Sequence, residues 1–489
     1  MDDVRLVDTT LRDGQQSLWA GRMRTEAMLP VLADLDAAGF DGMEFSVPTV
    51  QFPRAVKELK ENPWDWLKLG TRKVSRTSLR LHGSAKSVFT EVPRSVQDLF
   101  LQRIVDLGIT TTRTSDYWND YAELGKTVEL MSGHGIRTVA NLIYSVSPRH
   151  TTDYYARKTR EAAALKPYRI CFKDVGGLLT PDSAREIMPV VVANAGDVPL
   201  EFHAHCSNGF GPYVTLMAVD SGIRIVHTAV PPLADGQSQP SVFDIVDNLR
   251  ERGVSVAVDT EPLQRVRDHF ARVAEVEGLP QGSRASYDER AYRHQVPGGM
   301  ISNLQFQLSQ IGMADRLEAT VLEVERVRAE LGYPIMVTPL AQFVGSQAAL
   351  NVITGKRYET VTDEVIQYAL GQWGAEAVDV MDPSVREKIL DRPRAGQLAA
   401  REKSEPTLEE VRRRFGGSIS DEDLIACVLA GAGSMPTDLR SPPDPDMDYQ
   451  DYRNAHRPLL EVLRKVAADG TIQRFAYASG ATRVSTSRG

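Results

Sequence analysis

The chain has 489 residues, 42% hydrophobic and 25% charged, with a formal net charge of −8. That balance excludes a disordered, collagen-like or fibrous chain, and the acidic net charge argues against a general nucleic-acid binder. No apolar run approaches the ~20 residues that span a bilayer. The acidic start, MDDVRLVDTT, has neither the basic flank nor the apolar core of a secretory signal, so a cytoplasmic protein is expected. Cys171, Cys206 and Cys427 fall at no metal-finger spacing and imply no disulfide framework.

Over residues 1–285, short apolar runs alternate with amphipathic stretches. Strand-like runs cover 4–10, 41–47, 78–84, 110–117, 137–145, 169–175, 199–206 and 224–230. Each is followed by helical spacing, as in 25–38. Eight strand–helix units within about 250 residues fit a closed (β/α)8, or TIM, barrel. A doubly wound open sheet is the competing arrangement. It lacks support here, because no Gly-rich dinucleotide fingerprint follows the first strand and no P-loop occurs.

Residues 286–440 change character. Helical patterns dominate at 302–311, 314–331 and 339–353, with no strand alternation, which predicts a mostly helical second domain. Residues 441–489 open on SPPDPDMDYQDY, which reads as a linker. One helix (LLEVLRKVAA) and a hairpin around 472–484 follow.

In such a barrel the C-terminal strand ends carry the active site. Three strands deliver polar groups there: Arg12, Asp13 and Gln16 after the first, Lys173 and Asp174 at the sixth, His203 and His205 at the seventh. Residues i and i+2 of a strand face the same side, so both imidazoles can point inward. Two neutral imidazoles plus the Asp13 carboxylate make a first shell for Zn, Mn or Co. The competing reading is two hydrogen-bonded core histidines. Lys173 is either an ion-pair partner in the mouth or a lysine carbamylated by CO2, and Asp174 is a ligand or an orienting group. Arg12 offers a donor fork for a carboxylate or an enolate oxygen, or else a rim salt bridge. Residues 292–304, with Pro297-Gly298-Gly299 before Ser302-Asn303, read by themselves as a helix cap.

Taken together, these motifs resemble the carboxyltransferase component of biotin-dependent enzymes, within the hydroxymethylglutaryl-CoA lyase-like superfamily. The residues carrying the resemblance are 8–25 (DTTLRDGQQSLWAGRMRT), 59–73, 147–158, 170–181 (ICFKDVGGLLTP), 202–209 (FHAHCSNG), 235–241, 292–308 (YRHQVPGGMISNLQFQL) and 331–352. The match runs from residue 5 to about 430, and the segments beyond 292 favour the carboxyltransferase branch. The resemblance implies a metal held by Asp13, Lys173 (as carbamate), His203 and His205. It implies that Arg12 and Gln16 hold a 2-oxo acid such as pyruvate or oxaloacetate, and that the Ser302 hydroxyl passes a proton between biotin and the enolate. It also implies a helical domain that completes the active site and a homodimer.

Several positions depart from the family pattern. His82 stands where an arginine is usual, and Phe89 where a tyrosine contacts substrate and biotin. Cys206 replaces an acid after the His-x-His pair, and His227 replaces an aspartate. A neutral imidazole cannot grip a carboxylate as a guanidinium does, so an altered substrate pocket is expected. The sequence shows neither a biotinylation signal nor an ATP-grasp-like region. Biotin is therefore expected on a separate carrier, with a separate biotin carboxylase. The alternatives are a biotin-independent metal-dependent decarboxylase or lyase acting on a related acid, and a non-catalytic scaffold subunit.

Overall fold

The computed structural model describes the chain apart from residues 1–2, 86–91, 297–300, 302–303, 306–307, 311, 402–404, 457–465, 467–473, 480–481 and 488–489. Two expected site residues, Phe89 and Ser302, lie outside the described residues.

Eight parallel strands close into a barrel: β1 (Arg5–Asp8), β2 (Gly42–Ser46), β3 (Ser78–His82), β4 (Thr111–Thr114), β5 (Arg137–Ile143), β6 (Arg169–Asp174), β7 (Leu200–Ala204) and β8 (Ile225–Thr228). Every one lies inside an expected run. β1 pairs with β8 to close the ring, with Val7 beside His227. In β6 and β7, Lys173 lies beside His203. These parallel strands are buried on both faces, as a helix-jacketed sheet must be. The fold is a TIM barrel.

Helices cover the outside, and side chains cap several of them. Asn62, Asp120, Thr151, Thr180 and Ser241 each accept from a backbone N–H of the first turn, satisfying donors that a helix start leaves orphaned. The stretch expected as one helix over 25–38 is divided. Thr25–Met28 and Leu32–Ala37 are α-helical, and Leu29–Val31 is a 3-10 turn. Pro30 has no N–H to donate into the α ladder, and the chain tightens there.

Between residues 314 and 430 the described chain is mostly helical. Leu317–Glu330 and Leu340–Thr354 pack as a pair, and shorter helices follow. Val324, Val327, Leu331, Leu340, Val344, Val365, Ile366, Tyr368 and Ile389 form an apolar core separate from that of the barrel, joined from the barrel side by Trp118. Ile335 and Val337 pack on Ile143 at the end of β5, so this core sits over the barrel mouth. The chain then returns. Val411 and residues Leu424–Ala430 belong to the barrel's apolar cluster, and Trp64 donates to the Glu422 carbonyl at 2.8 Å. Tyr452 is fully buried in the same cluster, and Tyr449 donates to Asp34 at 2.6 Å. Residues 441–452 thus run along the barrel wall. Arg474–Ser479 and Thr482–Ser487 form an antiparallel hairpin, as expected. Among the described residues, no helix is long and apolar enough to cross a membrane.

Candidate active site at the barrel mouth

Directly after β1 the chain coils into a π-helical turn, Thr10–Gly14, that carries Arg12 and Asp13 into the mouth, both buried. Gly14 belongs there because a Cβ would stand 2.7 Å from the Leu233 carbonyl oxygen. Strand β7 ends at Ala204, with His203 and His205 two residues apart on one side. As a result, one Asp13 oxygen and one nitrogen of each imidazole lie within 4.8 Å of one another. Asp13 Oδ2 is 3.1 Å from His203 Nε2, 3.6 Å from His205 Nε2 and 2.7 Å from Arg12 Nη2. It has no aligned hydrogen-bond donor.

One buried carboxylate oxygen and two imidazole nitrogens converging at this spacing are an arrangement that suits a divalent cation. His205 Nδ1 donates to the Gln237 carbonyl at 2.6 Å, which leaves the Nε2 lone pair facing Asp13. Metal-bound histidines are oriented this way. The donor set fits a metal. Burial pushes the Asp13 carboxyl upward, but Arg12 and then His205 and His203 outweigh it and hold it well below the ordinary range. Burial and the nearby Arg113 push His203 well below its ordinary value. Both groups are therefore in the ligating protonation state at neutral pH.

Lys173, buried on β6, is pulled down to about 7, first by burial and then by Arg113. Asp174 holds backbone in place. Its two oxygens accept from Leu178 N at 2.9 Å and Leu179 N at 2.7 Å, so it shapes the loop after β6, while burial raises its carboxyl to about 6.

The two adjacent glutamines are separated by their partners. Gln15 bonds the Leu11 carbonyl and the Met23 N–H, whereas Gln16 Oε1 is buried and unpaired. His82, at the end of β3 beside Arg113, also has an unpaired buried nitrogen, Nδ1. Burial, then Arg12, Arg113 and Lys173, push its pKa well below the ordinary value, so it is neutral. Gln16 and His82 thus each carry a buried polar atom without a hydrogen-bond partner.

Arg12 is aimed by a residue that sequence reasoning missed. Glu44, fully buried on β2, accepts from Arg12 Nε at 2.7 Å and pairs with its Nη2, and accepts from Arg113 Nε at 2.5 Å and Nη2 at 3.0 Å. Burial would raise the Glu44 carboxyl, but Arg113, Arg12 and Arg80 outweigh it and hold it well below the ordinary range. Arg113 also donates to Asn141 at 3.1 Å. The available signal was an ionisable residue at the centre of a strand pattern, as in GMEFS, SLRLH, TTRT and LEFHA.

A closed barrel whose mouth gathers a cation-type cluster and paired guanidiniums defines a TIM-barrel enzyme. Residues 3–269 match the HMGL-like family and residues 291–430 the conserved carboxylase domain. The chain is 34% identical over 391 residues to a pyruvate carboxylase subunit of Methanocaldococcus jannaschii, covering 79% of this chain and 68% of that protein. It is 29% identical over 436 residues to the 2-oxoglutarate carboxylase large subunit of Hydrogenobacter thermophilus, covering 87% and 67%. Its fold matches the carboxyl transferase domain of Rhizobium etli pyruvate carboxylase with a TM-score of 0.79 at 22% identity, over 92% of this chain and 79% of that one. The chain belongs to the HMGL-like family, in the branch that carries the conserved carboxylase domain, and it is a carboxyltransferase-type enzyme.

Proposed function

We propose that this chain moves CO2 between biotin borne on a separate carrier protein and a small 2-oxo acid, using a divalent cation held by Asp13, His203 and His205. The observation that carries the reading is the buried convergence of an Asp13 oxygen with one nitrogen each of His203 and His205. The bound cation supplies Lewis acidity and offsets anionic charge in the pocket. Carbamylated Lys173 completes the set. Its lowered pKa supports this, because only the neutral amine attacks CO2, forming the N–C bond as one N–H proton leaves. Relatives named for pyruvate and 2-oxoglutarate carboxylation support a 2-oxo acid acceptor.

Arg12, held between Glu44 and Asp13, presents a fixed positive charge to the acceptor's enolate oxygen. By resemblance, Gln16 also holds the acceptor. His82 meets the acceptor as a neutral group, which favours an acceptor gripped differently from pyruvate. By resemblance, Phe89 lines the pocket and Ser302 passes the proton exchanged between acceptor and biotin. We assign residues 1–285 to the catalytic barrel, 286–440 to a helical domain completing the site, and 441–489 to a linker and small C-terminal segment. The working unit is a cytoplasmic homodimer that meets separate biotin carrier and biotin carboxylase subunits.

The test is metal analysis joined to oxaloacetate decarboxylation, with and without free biotin or a biotinylated carrier. One metal per chain and biotin-stimulated turnover, both lost in Asp13→Asn, are expected. Turnover indifferent to biotin would replace this reading with a biotin-independent decarboxylase. A metal-free, inactive protein would overturn the site itself.

A further inference from the structure

Beneath the ligand cluster the barrel interior holds a second buried group, Cys171, Glu201 and His227, from β6, β7 and β8. His227 links it to the first. Its Nδ1 is 2.9 Å from His203 Nδ1, and its Nε2 is 3.0 Å from Glu201 Oε2. All three side chains are fully buried. Between two facing imidazole nitrogens one must donate and the other accept. Glu201 also accepts from Arg80 Nη1 at 3.0 Å and Arg169 Nη1 at 2.8 Å, so it is an anchored carboxylate that only accepts. A proton on His227 Nε2 then points at Glu201, which leaves the His227 Nδ1 lone pair free for His203 Nδ1–H. His203 is left with its Nε2 lone pair facing Asp13.

Arg80 Nη2 is also 3.0 Å from His227 Nε2 and favours the opposite tautomer, in which His203 Nε2 carries a proton and cannot ligate. Two further features favour the ligating tautomer: the Glu201 acceptor, and the Gln239 amide nitrogen, which stands 3.3 Å from His203 Nε2 as a donor toward that lone pair.

We propose that Glu201 and His227 are positioning residues, a buried carboxylate–imidazole chain that holds His203 in its metal-ligating tautomer. This rests on the metal reading of Asp13, His203 and His205. The alternative, a second cation site on Cys171, Glu201 and His227, is disfavoured by Arg80 and Arg169 already held on Glu201. Outer partners of metal-bound histidines are commonly worth about 10- to 100-fold in affinity.

The experiment compares the full-length wild type with His227→Leu and His227→Asn. It uses Zn2+ affinity by chelator competition, the visible spectrum of bound Co2+, and thermal unfolding of the metal-stripped proteins. The leucine removes the acceptor for His203 Nδ1–H, whereas the asparagine amide oxygen supplies one. The expected result is a loss of about 10- to 100-fold in Zn2+ affinity for His227→Leu, largely restored in His227→Asn, with one metal per chain throughout. Wild-type affinity in His227→Leu, or equal losses in both variants, would overturn the proposal while leaving the metal site standing. A second wild-type equivalent of metal that disappears with His227→Leu would assign His227 to a second site and overturn it too. A wild type that binds no metal would fail the underlying site, and the proposal with it. Equal metal-free unfolding temperatures for the two variants are expected; a leucine variant that is unfolded without metal would place His227 in the fold and overturn the positioning role.

Discussion

Along the barrel axis, buried Glu44 and Glu201 are ringed by Arg12, Arg80, Arg113, Arg169 and His227. Over the mouth, the helical region packs Val324, Val327, Leu340, Val344 and Ile366 against one another. TIM-barrel interiors are ordinarily filled by layers of branched apolar side chains, and in this chain it is the helical region that follows the apolar rule. An apolar core stabilises through area removed from water and has no preferred direction. A buried ion-pair lattice contributes little net stability, but it fixes where each guanidinium and imidazole points. The lattice lies beneath the residues that must be aimed: Arg12 through Glu44, and His203 through His227.

The comparison breaks most visibly at Glu44. Glu44→Ala leaves guanidiniums buried without their carboxylate, and a loss of about 3–5 kcal/mol is expected in urea unfolding, as for a buried pair stripped of one partner. A loss below about 1 kcal/mol would mean the lattice behaves like surface charge. In the helical region, Leu340→Ala should cost about 2–5 kcal/mol through the cavity it leaves while Zn2+ stoichiometry stays at the wild-type value. Altered stoichiometry would show that the apolar core also sets the ligand geometry.

Acid sharpens the contrast. The folded Glu44 carboxyl titrates well below the ordinary 4.5. The unfolded state therefore takes up the proton first as pH falls. The stability that Glu44 contributes is fully present above about 4.5 and is lost as pH drops from there toward the folded value. The stability gap between wild type and Glu44→Gln should accordingly shrink below that pH, whereas the gap for Leu340→Ala stays constant; a Glu44 gap that does not move with pH would refute the assignment. The smallest effect belongs to Arg394 and Asp363, about half exposed on the helical region. A double-mutant cycle there should give under about 1 kcal/mol, and a larger coupling would erase the distinction between buried and exposed pairs.

Much of this architecture was legible because short strand-like runs alternate with helical spacing along the chain. Asp13, His203 and His205 were legible as a set once the barrel placed their strand ends at one mouth. Pro30 was readable as a helix breaker but was subsumed in the apolar spacing around it. The return of 408–430 to the barrel wall left no local mark, because a helix such as Asp421–Ala430, apolar on most sides, does not declare which core it joins. Glu44, Arg80, Arg113 and Glu201 were each visible as a charge inside a strand, yet no spacing says that four different strands bring them together.

By itself the sequence determined the strand–helix alternation, the change to helices after the barrel, and the residue types available for a cation and an enolate. These follow from periodicities of two and 3.6 and from side-chain chemistry, both local properties. The tertiary structure alone decided which of those groups meet. The pairing of β7 with β8 brings His227 to His203, and the pairing of β6 with β7 sets His203 beside Lys173. Contacts across parallel strands are set by register between segments tens to hundreds of residues apart, and no local pattern encodes that register.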